Sequence, residues 1–297
     1  MITQDDVMPH SHATYLNWPI PDSAQSYTRR DTILYALGVG LGGDPVDPGQ
    51  LSFLYEKGLR ALPTLGLVVG SPGAWFADPQ LGLDFSRLVN AGVSATFHAP
   101  MPVEGEVVGR NSVVSVADKG PERGLLLVTR RSLYSRADDT HLCDIETTYL
   151  FRGDGQSVEA IGAPLARPHG IPDTAPDDIV SFGTLNQSAL IYRLSGDLNP
   201  LHIDPEAARA AGFPRPILHG LCSLGIVAHM ITTRLCAGDP ARLRSLAARF
   251  VAPLFPGETI DLELWRRGED VTFRARAKER DTIVLDNGRS LIDGNGG

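Results

Sequence analysis

An α+β fold of two related halves is what this sequence predicts, each half a curved antiparallel sheet wrapped around a helix. Three observations carry the expectation. Short words recur in the same order in both halves. One segment of the second half reads as a helix apolar enough to be buried. The stretches after it alternate apolar and polar residues at the strand period.

The repeat is legible in two places. "ILYALGVGLGGDP" begins like "LIYRLSGDLNPLHIDP", pairing Tyr35 with Tyr192. "FHAPMPVEGEV" resembles "FVAPLFPGETI", pairing Phe97 with Phe250. Between the halves, Pro164, Pro168, Pro172 and Pro176 punctuate a segment without helical or strand periodicity, which is linker chemistry. The expected organisation is a first domain over 1–155, a Pro-rich linker over 156–180 and a second domain over 181–297.

In the first half, "VSATFHAPMPVEGEVVGRNSVVSVAD", "GLLLVTRRSLYS" and "HLCDIETTYLFR" supply strands. In the second, "TLNQSALIYRLSG" predicts a short helix with its polar start at Thr184 or Asn186. Pro200 disfavours helix at Asn199, so Asp197 to His202 should be loop or turn. Asp204 followed by Pro205 is a helix start, a cap and then proline at the first helical position, and Gly212 can end that helix. Leu221, Leu224, Val227, Ala228, Ile231 and Leu235 recur at steps of three and four in a segment otherwise small or apolar. Strands follow, with Ile260, Leu262 and Leu264, then Val271, Phe273, Ala275 and Ala277, alternating.

The chain has 297 residues, 42% hydrophobic and 21% charged, so it can bury a core. A net charge of −8 argues against nucleic acid as a partner, and the apolar runs are too broken for a membrane span. The polar, acidic start "MITQDDVMPHSH" resembles neither a secretory signal nor a transit peptide, and "LIDGNGG" is no peroxisomal tail. Cys143, Cys222 and Cys236 are far apart and odd in number, which fits reduced thiols and a cytoplasmic location.

The chemistry concentrates in "YRLSGDLNPLHIDP". Asp197 and His202 would point about 140° apart on a straight helix, but a proline-containing turn can aim both at one water. A carboxylate and an imidazole so placed perform acid–base work. Asn199 can fix a substrate or a neighbouring side chain. The alternative reading of the same residues is an Asx turn beside a half-buried histidine. Gly220, in "LHGL", stands near the start of the apolar helix, where backbone N–H groups lack partners and an oxyanion can approach. His219 either orients this corner or packs there. A metal reading of Asp197, His202, Asp204 and His219 fits no EF-hand, zincin or Cys/His spacing. No Gly-x-Ser-x-Gly elbow, phosphate loop or dinucleotide fingerprint is present.

"YRLSGDLNPLHIDPEAARAAGF", "PILHGL" and "RFVAPLFPGETI", in that order, closely resemble the R-specific enoyl-CoA hydratases, the hydratase 2 group of the MaoC-like dehydratases. "LSFLYEKGLRALPTLGLVVG" and "YLFRGDG" resemble the non-catalytic half of the two-domain members. The resemblance implies a double hot dog fold with one continuous sheet. It also implies reversible hydration of a trans-2-enoyl-CoA to a (3R)-3-hydroxyacyl-CoA without cofactor or metal, in a homodimer. Asp197 and His202 would be the catalytic pair, Asn199 a support and Gly220 N–H the oxyanion donor. Arg193, Arg249, His219 and Leu221 would contact the acyl-CoA, with Arg242 and Arg244 as further cations for its phosphates. A specialised acyl-CoA or carrier-protein thioester, or acyl-CoA binding without catalysis, are the alternatives. Aligned from Tyr35 and Tyr192, the first half has Gly40 and Gly42 opposite Asp197 and Asn199, with no histidine nearby. Those glycines suggest room for an acyl chain. Many relatives carry a His-Gly-Glu-Gln word before the Phe97 strand; this chain reads "NAGVSATFHAP".

Overall fold

The computed structural model describes residues 10–294. The terminal words read above for targeting lie partly outside that range, in 1–9 and 295–297. Eleven strands form one sheet, and every pairing in it is antiparallel. The first half contributes β1 (Ser23–Tyr27), β2 (Leu88–Phe97), β3 (Gly105–Lys119), β4 (Leu125–Ser135), β5 (His141–Phe151) and β6 (Val158–Gly162). The second contributes β7 (Asp178–Gly183), β8 (Leu243–Phe250), β9 (Thr259–Arg267), β10 (Asp270–Ala277) and β11 (Thr282–Ile292). The helices are α1 (His12–Leu16), α2 (Arg29–Gly38), α3 (Pro48–Leu51), α4 (Ser188–Tyr192), α5 (Pro205–Ala210) and α6 (Gly220–Leu235).

The strand order, β1-β3-β4-β5-β2-β8-β11-β10-β9-β7, reads the same from either end once β7 is matched with β1 and β8 with β2. The duplication seen in short words is therefore a duplicated topology. The halves join where β2 pairs with β8, from Gly92 opposite Arg249 to Thr96 opposite Ser245. Gly92 is required there: a Cβ would stand 2.9 Å from the Ala248 carbonyl oxygen. The expected continuous sheet is what forms.

Helix α6 is buried from Cys222 through Thr232 without interruption, so its surroundings are protein on all sides. The alternating residues of β9 and β10 share its core: Ile260, Leu262, Val271, Phe273, Ala275 and Ala277 are each fully buried. One core runs through both halves, from Tyr35, Val39 and Leu65 to Leu224, Ile231 and Leu262. Tyr35 and Tyr192, the paired positions of the repeat, meet there with ring centroids 6.0 Å apart. A smaller core of Tyr15, Trp75, Leu81, Leu127 and Phe151 belongs to the first half.

The structure differs from expectation at four points. Among the described residues the first half has no central helix as long as α6; between α3 and β2 the chain makes 3-10 turns, of which Pro63–Leu67 is wholly buried. Its Pro63 and Gly66 disfavour a long α-helix. Residues 158–162 of the expected linker are strand β6, paired with the 115–119 end of β3, because an edge pairing supplies the regularity that sequence periodicity did not. The Pro-rich remainder lies on the second half, where the Thr174 carbonyl accepts from Trp265 Nε1 and the His169 carbonyl from Asn287 Nδ2. Helix α4 starts at Ser188, since Thr184 uses its hydroxyl on the Glu258 carbonyl instead of capping. Finally, the first-half glycines do not make room. The Phe182 ring occupies the place a Cβ would take at Gly40, whose φ is +87°, and Leu54 Cδ1 stands 2.8 Å from that of Gly42.

Candidate active site

The segment between α4 and α5 is built by short-range hydrogen bonds. Asn199 Oδ1 accepts from Leu201 N and caps a 3-10 turn over Pro200–His202. Asp197 Oδ1 accepts from Asn199 N, and Asp204 caps α5 by accepting from Glu206 N. Asp204 is thus a helix cap, and Asn199 holds the turn that carries His202.

His202 Nδ1 donates to the Ile217 carbonyl at 2.9 Å. The neutral ring then carries its lone pair on Nε2, which faces Asp197 Oδ2 at 4.0 Å. That gap is too long for a direct hydrogen bond. It is close to the span of two acceptors sharing one water, roughly 4–4.5 Å for two bonds of about 2.8 Å. The imidazole of His202 is 9% exposed, against 49% for the Asp197 side chain. Burial pushes the His202 pKa below its ordinary value, outweighing the Ile217 hydrogen bond and the Asp197 charge. The ring is held neutral.

His219 packs and orients at once. Its ring stacks on His202, centroids 3.6 Å apart, and its Nε2 donates to the Asp197 backbone carbonyl at 3.2 Å. Its Nδ1 is buried with no hydrogen-bond partner among the described residues. Burial, and then the neighbouring His202, push its pKa down to about 4. His219 is the N-cap of α6 yet makes no side-chain cap, so the helix opens with uncapped N–H groups at Gly220, which is exposed. On its side-chain side Gly220 is crowded: a Cβ would lie 3.0 Å from the Phe250 ring.

The structure gathers Asp197, Asn199, His202, His219 and Gly220 at the head of α6. Arg193 is close enough for its charge to act on His219, and its Nε is buried without a partner among the described residues. Leu221 is half-buried and packs on the core. Arg249 does not join them. Alternation along β8 puts it on the face opposite Phe250, where it reaches Asn287 at 3.5 Å. Arg244 lies 3.8 Å from the Asp293 carboxylate, and Arg242 donates to the Asp293 carbonyl. Sequence reasoning missed Ile217, which fixes the His202 tautomer through its carbonyl; a backbone acceptor leaves no mark in side-chain pattern. It also gave no role to Tyr192, whose ring lies 5.0 Å from His219. Two surface concavities, about 430 Å³ beside Pro172 and Trp265 and about 250 Å³ beside Pro63 and Met101, include neither member of the pair.

The fold thus brings a carboxylate and an imidazole, Asp197 and His202, together at the head of α6. Residues 25–153 match the MFE-2 hydratase 2 N-terminal domain, and residues 160–287 match the MaoC like domain. The chain belongs to the MaoC-like dehydratase family. It is 35% identical to the peroxisomal enoyl-CoA hydratase 2 of Arabidopsis thaliana over 90% of both chains. It is 37% identical to 3-hydroxyacyl-thioester dehydratase Y of Mycobacterium tuberculosis, over 88% of this chain and 91% of that one. The crystal structure of a MaoC-like dehydratase from Phytophthora capsici superposes with a TM-score of 0.86 at 32% identity, covering 97% of this chain and all of the other. Among the described residues no helix is long and apolar enough to cross a membrane.

Proposed function

We propose that the protein hydrates trans-2-enoyl-CoA to (3R)-3-hydroxyacyl-CoA, reversibly, with Asp197 and His202 as the acid–base pair. The 4.0 Å opening between Asp197 Oδ2 and His202 Nε2 carries this reading. Both atoms are acceptors, and together they can hold the two hydrogens of one water. In the hydration, an O–H bond of that water breaks, its oxygen bonds to C3, and the pair returns one proton to C2. Negative charge grows on the thioester oxygen, and the uncapped N–H of Gly220, helped by the α6 dipole, is the donor in reach of it. Leu194, Leu198 and Ile203 expose large apolar side chains in the same segment, which suits an acyl chain as ligand. The names of the relatives, a hydratase and a thioester dehydratase, support both directions of the reaction.

Chiral analysis of the product from crotonyl-CoA tests the stereochemistry. The R alcohol is expected; the S alcohol would overturn the assignment.

The proposal extends to a cytoplasmic homodimer. The three cysteines are free and buried, as in a reducing compartment, although one relative named above is called peroxisomal. Light scattering should give twice the chain mass of 31.9 kDa; a monomer mass would remove the dimer from the proposal.

A further inference from the structure

Away from the Asp197–His202 pair, the first half holds a second convergent group: His98, His141 and Asp144. His98 directly follows β2, while His141 and Asp144 lie near the start of β5. In a regular strand, residues three apart face opposite sides. Here the pairing of β4 with β5 shifts register between Leu133 opposite Cys143 and Tyr134 opposite His141, a bulge at Leu142. The Leu142 carbonyl instead accepts from His98 N and Ala99 N. The bulge turns His141 onto the face of Asp144 and draws His98 to the same place. Such irregularities re-aim side chains, and they weaken a ladder, so one is expected where the re-aimed groups have a use.

The three groups converge tightly. His98 Nε2 lies 2.9 Å from Asp144 Oδ2, and His141 Nε2 lies 3.0 Å from Asp144 Oδ1. The two imidazoles are 4.3 Å apart between centroids, and Tyr134 stacks on His141 at 4.6 Å. Ser132 Oγ donates to Asp144 Oδ1 and orients the carboxylate. Burial alone would raise the Asp144 carboxyl; hydrogen bonds from Ser132, His98 and His141 outweigh it and keep the group ionised. Arg110 covers Tyr134 at 4.2 Å, but its charge is shared with Asp139 at 3.4 Å.

We propose that His98, His141 and Asp144 bind one divalent transition metal ion, zinc being the best match. Two imidazole nitrogens and one carboxylate oxygen are ligands of borderline softness, suited to zinc rather than to magnesium or calcium. The ligand atoms lie within 4.8 Å of one another. Around one tetrahedral zinc they would be about 3.3 Å apart, so small side-chain rotations suffice. The Nε2 protons that now point at Asp144 move to Nδ1 or are released, and the ion takes their place. A fourth position stays open to water. The ion would tie the end of β2 to β5 and has no part in hydration. Ser132 is then the outer group that holds the carboxylate.

Calorimetric titration of zinc into the intact protein tests this, with His98→Gln, His141→Gln and His202→Gln titrated beside it. His202→Gln separates this cluster from the Asp197, His202 and His219 group, which could also hold zinc. One zinc per chain is expected in the wild type and in His202→Gln, and none at comparable affinity in His98→Gln or His141→Gln. Ser132→Ala should weaken binding about 10–100-fold. Circular dichroism shows whether each variant is folded. No binding to the wild type, binding retained in the folded His141→Gln protein, or binding lost only in His202→Gln each overturns the proposal.

Discussion

His202→Gln should lower kcat/KM for crotonyl-CoA hydration by about 10²–10⁴-fold, and Asp197→Asn by a similar factor, the range typical of a missing acid–base group. Glutamine keeps the size of the ring without a titrating nitrogen, and asparagine keeps the shape of the carboxylate without its charge. Because Asp197 is half exposed and its loop is held by Asn199 and His219, neither change should unfold the chain. The double variant should be little worse than either single one, since the two groups act on one water. The pH profile adds a second readout. Burial lowers the His202 pKa, so the neutral ring needed as a proton acceptor persists below the pH at which a free histidine would protonate. The acid limb that His202 imposes on kcat/KM should therefore lie below about pH 6.5 and disappear in His202→Gln. Steady-state rates of the folded variants decide it: hydration unchanged in either single variant sinks the mechanism.

Asp118→Ala should cost about 1–3 kcal/mol of stability. The Asp118 side chain is 1% exposed. It accepts from the backbone N–H groups of Gly120, Gln156 and Ser157 and from His12 Nε2. It thereby pins α1 and the approach to β6 onto the end of β3. Removing it strands three backbone donors, that of Gly120 in a buried bond and those of Gln156 and Ser157 in part-buried ones. Desolvation raises its pKa, but those hydrogen bonds outweigh it, and the folded value lies below the ordinary one. The sign follows. Asp118 contributes fully above the unfolded carboxylate pKa of about 3.9, and its contribution fades as pH falls through the depressed folded value. Urea unfolding of wild type and variant at neutral pH and near pH 3 checks both parts. The difference between them should be large at neutral pH and smaller in acid. A variant as stable as wild type at neutral pH would refute the role.

The site was more legible than its supports. Asp197, Asn199, His202 and Gly220 could be picked out because Pro200 forbids an ordinary helix there and because the same scaffold word appears at Tyr35 without the polar groups. Asp204 announced itself as a cap by the proline after it. Arg249 shows the limit of proximity along the chain: strand alternation puts it on the face of β8 opposite Phe250. Gly40 and Gly42 misled, because an absent side chain reads as space in sequence, while in the fold Phe182 and Leu54 fill it.

By itself the sequence determined what local patterning encodes. That includes the two-fold repetition of the chain, the alternation of β9 and β10, the all-round apolarity of α6 and the turn that breaks helix before His202. Tertiary structure alone decided the rest. It placed the β2–β8 join, set the lone pair of His202 on Nε2 through the Ile217 carbonyl, stacked His219 on His202, and used a bulge at Leu142 to bring His141 and His98 to Asp144. Each of these depends on a backbone group or a face met from another element. A residue's identity fixes which hydrogen bonds it can make, and only the packed fold fixes which partner arrives.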